Sequence, residues 1–288
     1  MCRFTFYLGP EIRLASLVTQ PAHSLINQSY NAQERPEPLN GDGFGLAWYG
    51  DTWREPARFR SITPAWNNAN LRDLAWVCQS HCILAHVRAA TLASEVMEPN
   101  CHPFRCGPFS FMHNGNVDGF KQLRRALLGQ LSDEGFQLVR GTTDSEHVFA
   151  LAMEHLRGHE EDSTCDLLAH ALEQAITALL TLNREHAPGE HCYLNLVLSD
   201  GWNAAACRFS TDENYIDTLY LSHGKRYRCE DQQCVIDEVD DVSQQSILLS
   251  SEPLSDDEGW AMVPRNHVVL INSERQVTVR PMQVNAAV

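Results

Sequence analysis

The order of the secondary-structure signals restricts the fold of this 288-residue chain more than any other feature. Runs of aromatic and β-branched residues bounded by turn residues come first, strong helical patterns follow, and six short β-type runs fill the last third. No linker, repeat or low-complexity stretch divides these parts. Strands, then helices, then strands favour a layered α+β domain over alternating βαβ units, so we expect a single domain over residues 2–288.

The hydrophobic periodicity gives bounds for these elements. Strands are expected at residues 4–8, 44–49, 83–87, 109–112, 193–199, 204–209, 218–222, 246–250, 267–272 and 276–280. Helices are expected at residues 14–18, 71–77, 120–131 and 166–181. A further helix is expected with Thr143 or Asp144 as its cap and Glu146 closing a capping box. The first strand should end in a turn at Gly9-Pro10, residues 11–40 should be rich in loops, and residues 237–241 should form an acidic loop.

The charge balance restricts the partners of the chain. It has 37 acidic and 22 basic residues and a net charge of −15, which opposes binding to nucleic acid or to an anionic membrane surface. Small molecules or proteins are therefore the expected partners. No apolar run approaches the roughly 20 residues that span a bilayer, and the first twenty residues lack a signal-peptide pattern. We expect a cytoplasmic protein.

Ten cysteines raise the question of disulfides or metal. In a long chain without an export signal most of them should be reduced, buried and packed as small hydrophobic residues. No two cysteines have the two-residue spacing of a zinc knuckle, although His81 and His102 lie near two cysteine pairs and leave a metal site open. The glycines of Gly41-Asp42-Gly43-Phe44-Gly45 lack the lysine of a phosphate loop. We expect no metal and no cofactor.

Cys2 directly follows the initiator methionine. Removal of Met1 would place a thiol, with a pKa of about 8.5, and an α-amine, with a pKa of about 8, on one residue. The neutral amine can then take the thiol proton, so nucleophile and base are present without a histidine. Taken alone, the pattern is also that of an exposed terminal cysteine.

Arg88 ends a mostly apolar strand pattern. Either the chain reaches the surface at this residue, or the guanidinium turns back into a cleft and binds a carboxylate through two parallel hydrogen bonds.

Two further positions have both a local and a chemical interpretation. Asn114-Gly115 follows a strand pattern, which indicates a tight turn or an oxyanion hole made by the asparagine amide and the glycine N–H. Asp144 is a candidate helix cap or a partner for an ammonium group. Together with Cys2 and Arg88, these groups complement a γ-glutamyl compound: the arginine and the aspartate fit its amino-acid end, and the thiol and the oxyanion hole fit acyl transfer from its side chain.

The chain resembles the class II glutamine amidotransferases, a family of N-terminal nucleophile hydrolases, through motifs in the same order. These motifs are Met1-Cys2-Arg3, Asn40-Gly41-Asp42-Gly43-Phe44-Gly45, Ala85-His86-Val87-Arg88-Ala89-Ala90-Thr91, His102-Pro103-Phe104, His113-Asn114-Gly115 and Thr143-Asp144-Ser145-Glu146. Stand-alone members are the most similar, namely the amidotransferase-like subunit of the glutathione-degradation complex and the γ-glutamyl hydrolase of ergothioneine biosynthesis. The first likeness is carried by Pro21-Ala22-His23-Ser24, Thr63-Pro64-Ala65-Trp66-Asn67-Asn68 and Ser251-Glu252-Pro253-Leu254.

The resemblance implies a role for each motif residue. Cys2 is the nucleophile, Arg88 binds the substrate α-carboxylate, Asp144 binds its α-ammonium, and Asn114 with Gly115 forms the oxyanion hole.

The resemblance also adds His102 to the substrate-binding residues. It implies a four-layer αββα sandwich of the N-terminal nucleophile hydrolase type. Because no acceptor domain follows in the sequence, ammonia channelling within this chain is not expected.

Three functional hypotheses follow. The chain hydrolyses the γ-glutamyl amide bond of glutamine or of a compound such as glutathione, with a partner subunit or as a homo-oligomer. Alternatively, it is a glutaminase subunit that supplies ammonia to a separate synthetase, or a non-catalytic binder of γ-glutamyl compounds.

Overall fold

The computed structural model describes residues 2–34, 38–90, 95–230 and 233–284. Met1, the Thr91 of the arginine motif and Pro36 of the predicted loop lie outside these residues. The chain forms two compact units: the first comprises Met1–Pro103 and Thr218–Val263, and the second comprises Phe104–Asp217 and Pro264–Val288. The single domain over residues 2–288 stays a prediction.

The strands and helices fall within these two units. The strands are β1 (Arg3–Arg13), β2 (Phe44–Gly50), β3 (Trp53–Ser61), β4 (Gln79–Val87), β5 (Phe104–Cys106), β6 (Phe109–Val117), β7 (Cys192–Ser199), β8 (Ala204–Ser210), β9 (Tyr220–Glu230), β10 (Gln233–Glu238), β11 (Ser246–Ser250), β12 (Ala261–Met262), β13 (His267–Ile271) and β14 (Val277–Pro281). The helices are α1 (Ala15–Val18), α2 (Leu25–Asn31), α3 (Ala69–Val77), α4 (Phe120–Leu128), α5 (Asp133–Leu138), α6 (Asp144–Glu154) and α7 (Cys165–His186).

The first unit is built on an antiparallel sheet in the order β10-β9-β11-β1-β4-β2-β3, with β12 paired to β9. Strand β1 lies inside this sheet, where Phe4 pairs with His86 of β4 and Thr5 pairs with Ser250 of β11. Its apolar side chains join those of α1, α2 and α3 in one core. Because β1 is paired on both sides from its first residues, the sheet fixes the backbone that follows Cys2.

Strand β1 is longer than its sequence pattern predicts. The turn expected at Gly9-Pro10 is wrong, because the strand continues to Arg13 through a register shift between Leu8 and Ile12. A side chain at position 9 would meet Ser246 at 2.8 Å, so glycine allows the close approach of β11. The irregularity accommodates Pro10, which has no N–H to donate to the sheet.

The second unit is built on an antiparallel sheet in the order β14-β13-β8-β7-β6-β5. Its core is formed by the sheet together with α4, α6 and α7, and the apolar stripe of α7 faces this core as predicted. By length and composition α7 is apolar enough to cross a membrane, so the expectation that no such run exists is wrong. However, 56% of its most apolar window is buried, as in the core helix of a globular protein.

Other predicted elements differ in their bounds. The region 11–40, expected to be rich in loops, contains the helix α2, whose first turn is capped by Ser24. The prediction of an acidic loop at residues 237–241 is partly wrong, because Asp237 and Glu238 belong to β10. Helix α4 ends at Leu128, and α5 follows it after Ser132, which caps α5. Strand β9 extends to Glu230, beyond the predicted residue 222.

The cysteines are mostly unpaired, as expected. Eight described cysteines are free, and half of these are buried while Cys2, Cys78, Cys106 and Cys165 are partly exposed. Cys229 and Cys234 form a disulfide between directly opposed positions of β9 and β10.

Candidate active site

Cys2 lies immediately before β1 and is partly buried. Its thiol donates to the carbonyl oxygen of Ala89 over 3.7 Å, a contact that joins the start of β1 to the segment after β4. The carbonyl oxygen of Cys2 accepts a hydrogen bond of 2.9 Å from Nη1 of Arg3. Both the thiol and the carbonyl oxygen of Cys2 therefore have hydrogen-bond partners, which restrict the position of this candidate nucleophile.

Arg3 forms a buried ion pair with Glu252. The guanidinium is 1% exposed, and its Nε lies 2.7 Å from Oε1 of Glu252. The same carboxylate accepts backbone N–H groups from Gln33 at 2.9 Å and Glu34 at 3.2 Å. A buried charge of this kind persists only with close partners, and here it has both a counter-charge and hydrogen bonds.

Arg88 follows β4 directly and is 3% exposed, so the interpretation that the chain reaches the surface here is wrong. Its Nη1 donates to the carbonyl oxygens of Asp42 at 3.5 Å and Glu95 at 3.2 Å. Its backbone exchanges hydrogen bonds with Gly43 and Asp42, and the Asp42 carboxylate accepts the N–H of Ala90. Hydrogen bonds from the turn at residues 40–43 therefore fix both the backbone and the side chain of Arg88.

His102 is buried in the same unit and precedes Pro103 through a cis peptide bond. Its ring stacks on that of His86, with 4.2 Å between the ring centroids. Burial raises the pKa of the adjacent Cys101 thiol to about 11, while the charge of Arg88 opposes this rise. The charge of a Cys2 thiolate also raises the pKa of Cys101, so Cys2, Arg88 and Cys101 lie close together in the first unit.

Asn114 and Gly115 lie inside β6, so the interpretation of this pair as a tight turn is wrong. Both residues pair with β7, Asn114 opposite Asn195 and Gly115 opposite Leu194. The Asn114 side chain is 0% exposed, and both of its amide atoms lack a hydrogen-bond partner within the described parts of the chain. Buried amides are usually paired, so this group is available for a bond to another molecule.

The backbone at Gly115 requires glycine. Its φ is +151°, and a side chain there would overlap the carbonyl oxygen of Tyr193. The neighbouring His113 ring is fixed by Ser145 Oγ at 2.8 Å and by the same carbonyl oxygen at 3.0 Å.

Asp144 is the first residue of α6, and Thr143 is the cap, whose side chain accepts the N–H of Glu146. The Asp144 carboxylate accepts the N–H of Val117 at 2.8 Å and that of Ser145 at 2.8 Å. Because Val117 ends β6, the carboxylate is attached to the strand that carries Asn114. In the second unit the structure thus brings the predicted oxyanion and ammonium groups to one strand.

The Glu146 side chain, expected to close a capping box, accepts the backbone N–H groups of Arg140 and Gly141.

Sequence patterns missed several of the supporting residues. The pair Arg3–Glu252 joins positions 249 residues apart, and only the two quoted motifs drew attention to them. Asp42, His113 and Ser145 lie within quoted motifs, but their roles as supports depend on contacts that no local pattern encodes. No group of three or more His, Cys, Asp or Glu side chains suited to a metal ion occurs among the described residues.

The comparisons with known proteins agree on one family. The chain is 36% identical over 296 residues to the "Probable glutamine amidotransferase DUG3" of Saccharomyces cerevisiae, covering 95% of this chain and 82% of that protein. It is 28% identical to the "Gamma-glutamyl-hercynylcysteine sulfoxide hydrolase" of Mycolicibacterium smegmatis, covering 98% and 100% of the two chains.

The chain is also similar to solved structures of glutamine amidotransferases. A glutamine aminotransferase class-II domain protein from Silicibacter pomeroyi has a TM-score of 0.66 and 27% identity, covering 98% of this chain and 99% of its own. The glutamine phosphoribosylpyrophosphate amidotransferase of Bacillus subtilis, at 14% identity, has a TM-score of 0.59 over 99% of this chain and 50% of that one, which supports the fold. The α+β prediction is confirmed by these matches and by the two antiparallel sheets.

The sequence profile of the family described as "Glutamine amidotransferases class-II" matches residues 18–286. The resemblance found in the ordered motifs is therefore confirmed. The chain belongs to the class II glutamine amidotransferases.

Proposed function

We propose that this protein hydrolyses the γ-glutamyl amide bond of glutamine or of another γ-glutamyl compound, with Cys2 as the nucleophile. The proposal rests on the family, on relatives named as a glutamine amidotransferase and a γ-glutamyl hydrolase, and on the groups described above. The buried amide of Asn114, which has no hydrogen-bond partner among the described residues, carries it, because this donor is next to a glycine N–H as an oxyanion hole requires.

The active form requires prior removal of Met1, which frees the α-amine of Cys2. This amine takes the thiol proton, and the thiolate attacks the γ-carbonyl carbon of the substrate. The Asn114 amide and the Gly115 N–H bind the resulting oxyanion, and each such donor contributes on the order of 3 kcal/mol. The protonated amine then gives its proton to the leaving nitrogen, and water hydrolyses the thioester to release glutamate.

Two charged residues are proposed to select the glutamyl end of the substrate. Arg88 binds the α-carboxylate, since its buried guanidinium is oriented by carbonyl oxygens. Asp144 binds the α-ammonium, since two backbone N–H groups hold its carboxylate in place. His102, next to Cys101 and stacked on His86, is assigned to substrate binding.

A turnover assay with matched cysteine variants tests the proposal. Protein with Met1 removed, verified by intact mass, is incubated with glutamine, glutathione and γ-glutamyl dipeptides while glutamate release is measured. Cys2→Ala should abolish turnover and the thioester adduct. Cys78→Ala, which removes another partly exposed free cysteine, should leave turnover unchanged. Comparable turnover in Cys2→Ala would reject the assignment of the nucleophile.

The same assay identifies the leaving group. Ammonia release from glutamine supports a glutaminase that feeds a synthetase, whereas amine release from γ-glutamyl peptides supports a γ-glutamyl hydrolase. We infer a cytoplasmic location and a partner subunit or a homo-oligomer. Light scattering of the purified protein distinguishes the homo-oligomer from a monomer. Tight binding without turnover or thioester in the processed protein would favour the non-catalytic binder.

A further inference from the structure

A cavity of about 770 Å³ lies in the first unit, beside the bulged end of β1. Its wall includes Ser16, Trp76 and residues of β9, among them Cys229, whereas Cys234 does not line it. Cys2 and the residues assigned to the glutamyl substrate are not part of this wall either. The cavity therefore shares no lining residue with the candidate active site, and any ligand it binds must be inferred from its own side chains.

The charge of the cavity is opposite to that of the protein. Three arginines line it against two glutamates, Glu11 and Glu230, so positive charge exceeds negative charge on its wall in a chain whose net charge is −15. Arg228 pairs with Asp237 at 2.6 Å and with Glu230 at 3.0 Å. Arg13 lies over the Trp76 ring at 5.7 Å, and neither Arg13 nor Arg226 forms an ion pair with a residue that the structure describes. Two arginine charges are thus available to an anionic ligand.

The cavity also presents a reactive bond. Cys229 is disulfide-bonded to Cys234 and is partly exposed, and its sulfur lies 3.4 Å from the carbonyl oxygen of Ser16. A thiolate can attack a disulfide only at a sulfur that it reaches, and neighbouring positive charge raises the local concentration of anionic thiolates. A reagent in the cavity therefore meets the sulfur of Cys229 rather than that of Cys234, and the arginines favour anionic thiolates.

We propose that the cavity is a thiol-exchange site, in which a small thiol carrying carboxylates is bound by Arg13 and Arg226 and attacks Cys229. The thiolate sulfur forms a bond to Sγ of Cys229, the Cys229–Cys234 bond breaks, and Cys234 departs as a thiolate. The product is a mixed disulfide on Cys229. A second thiolate of the same class releases Cys229, leaving two reduced cysteines and one oxidised small-molecule disulfide.

The test compares an anionic thiol with a neutral one on the full-length protein. Protein purified without reductant, with the disulfide verified by intact mass, is treated with mercaptosuccinate or 2-mercaptoethanol at equal thiolate concentration and quenched with N-ethylmaleimide. Tandem mass spectrometry of the tryptic peptide that begins at Cys229 locates both labels. Mercaptosuccinate is expected on Cys229 and maleimide on Cys234.

The arginine variants determine whether charge guides the reaction. Arg13→Gln with Arg226→Gln should slow the mercaptosuccinate reaction about tenfold and leave the 2-mercaptoethanol reaction unchanged. Arg54→Gln, at an exposed arginine of β3 at the far edge of the sheet, is the matched control and should change neither rate. Added salt should slow only the mercaptosuccinate reaction of the unaltered protein, a measurement that needs no variant.

Four results would overturn the proposal. They are absence of the disulfide from the oxidised protein, attachment of the thiol to Cys234, equal salt dependence for both thiols, and equal slowing of both thiols by the arginine variants.

Discussion

The guanidinium of Arg3 in the first unit and the amide of Asn114 in the second unit are both buried in strands, with exposures of 1% and 0%. Arg3 is bonded to the Glu252 carboxylate and to the carbonyl oxygen of Cys2. Asn114 has no hydrogen-bond partner in the described parts of the chain for either amide atom. Both polar groups are almost fully buried, but only the Arg3 guanidinium has hydrogen-bond partners among the described residues.

The difference separates groups that hold the fold from groups that serve a ligand. An unpaired buried polar group costs about 1–3 kcal/mol of stability, whereas a paired one contributes modestly. The Asn114 amide has no partner among the described residues and therefore carries this cost, which is typical of a functional site. The Arg3–Glu252 pair, by contrast, anchors the start of β1. The following changes test whether this distinction holds, beginning with the largest expected effect.

Replacing Glu252 with glutamine should destabilise the protein most. The change keeps the shape of the side chain but leaves the Arg3 guanidinium buried without its counter-charge, which costs about 3–5 kcal/mol. Chemical denaturation measures the loss of unfolding free energy. Glu258→Gln, at an exposed position of the same unit, is the control and should stay within about 0.5 kcal/mol of the unaltered protein. A loss below about 1 kcal/mol for Glu252→Gln would contradict an anchoring role.

Replacing Asn114 with alanine should have the reverse profile. The turnover number should fall about 10²–10³-fold through loss of an oxyanion donor. The free energy of unfolding should not fall, because no hydrogen bond to a described residue is broken and relief of the buried amide's desolvation cost offsets the lost packing. Asn116→Ala is the matched control, since this asparagine lies on the same strand and bonds to Asp118. If Asn114→Ala unfolds easily while keeping its turnover, the amide is structural and the comparison fails.

These two residues also show what the sequence can and cannot predict. The motif containing Asn114 identified it as a candidate donor, but Asn-Gly was equally typical of a turn. Its place within β6 depends on pairing with β7, about eighty residues later, which local periodicity does not encode. The contact between Arg3 and Glu252 spans 249 residues and has no local signal at all.

Strands and helices with strong patterns were predicted more securely. Helix α7 was predicted because its apolar residues repeat at helical spacing over many turns, and its packing confirms the pattern. The turn at Gly9-Pro10 failed because pairing on both sides of β1 overrides the local preference of glycine and proline. The cavity beside Cys229 depends on three separate segments, so no single stretch of sequence predicts it.

His147 adds an intermediate case, a buried group that is satisfied only when neutral. Its Nδ1 donates to the Thr143 carbonyl at 2.7 Å, and its Nε2 accepts from Arg124 at 3.3 Å. Burial lowers the pKa of His147 to about 4. In the unfolded chain the pKa is about 6.5, so only the unfolded state binds the proton between these values.

The unfolding free energy should therefore be independent of His147 above about pH 6.5. It should fall by roughly 3 kcal/mol as the pH decreases to about 4, and the contribution should then level off. Urea denaturation across this range measures the slope. His147→Gln should flatten it, whereas His186→Gln, at an exposed histidine of the same unit, should not. An unchanged slope in His147→Gln would show that other groups cause the acid sensitivity.

The smallest effect concerns the cap that positions Asp144. Thr143 caps α6 and Thr164 caps α7 through the same type of bond, each accepting an N–H at 3.3 Å. Either threonine-to-alanine change should cost about 1 kcal/mol of unfolding free energy. Only Thr143→Ala should also raise KM, by about threefold, because it loosens the residue assigned to the substrate ammonium. Equal KM values in the two variants would show that the Thr143 cap is not needed to hold Asp144 in place for the substrate, and that the N–H groups of Val117 and Ser145 suffice.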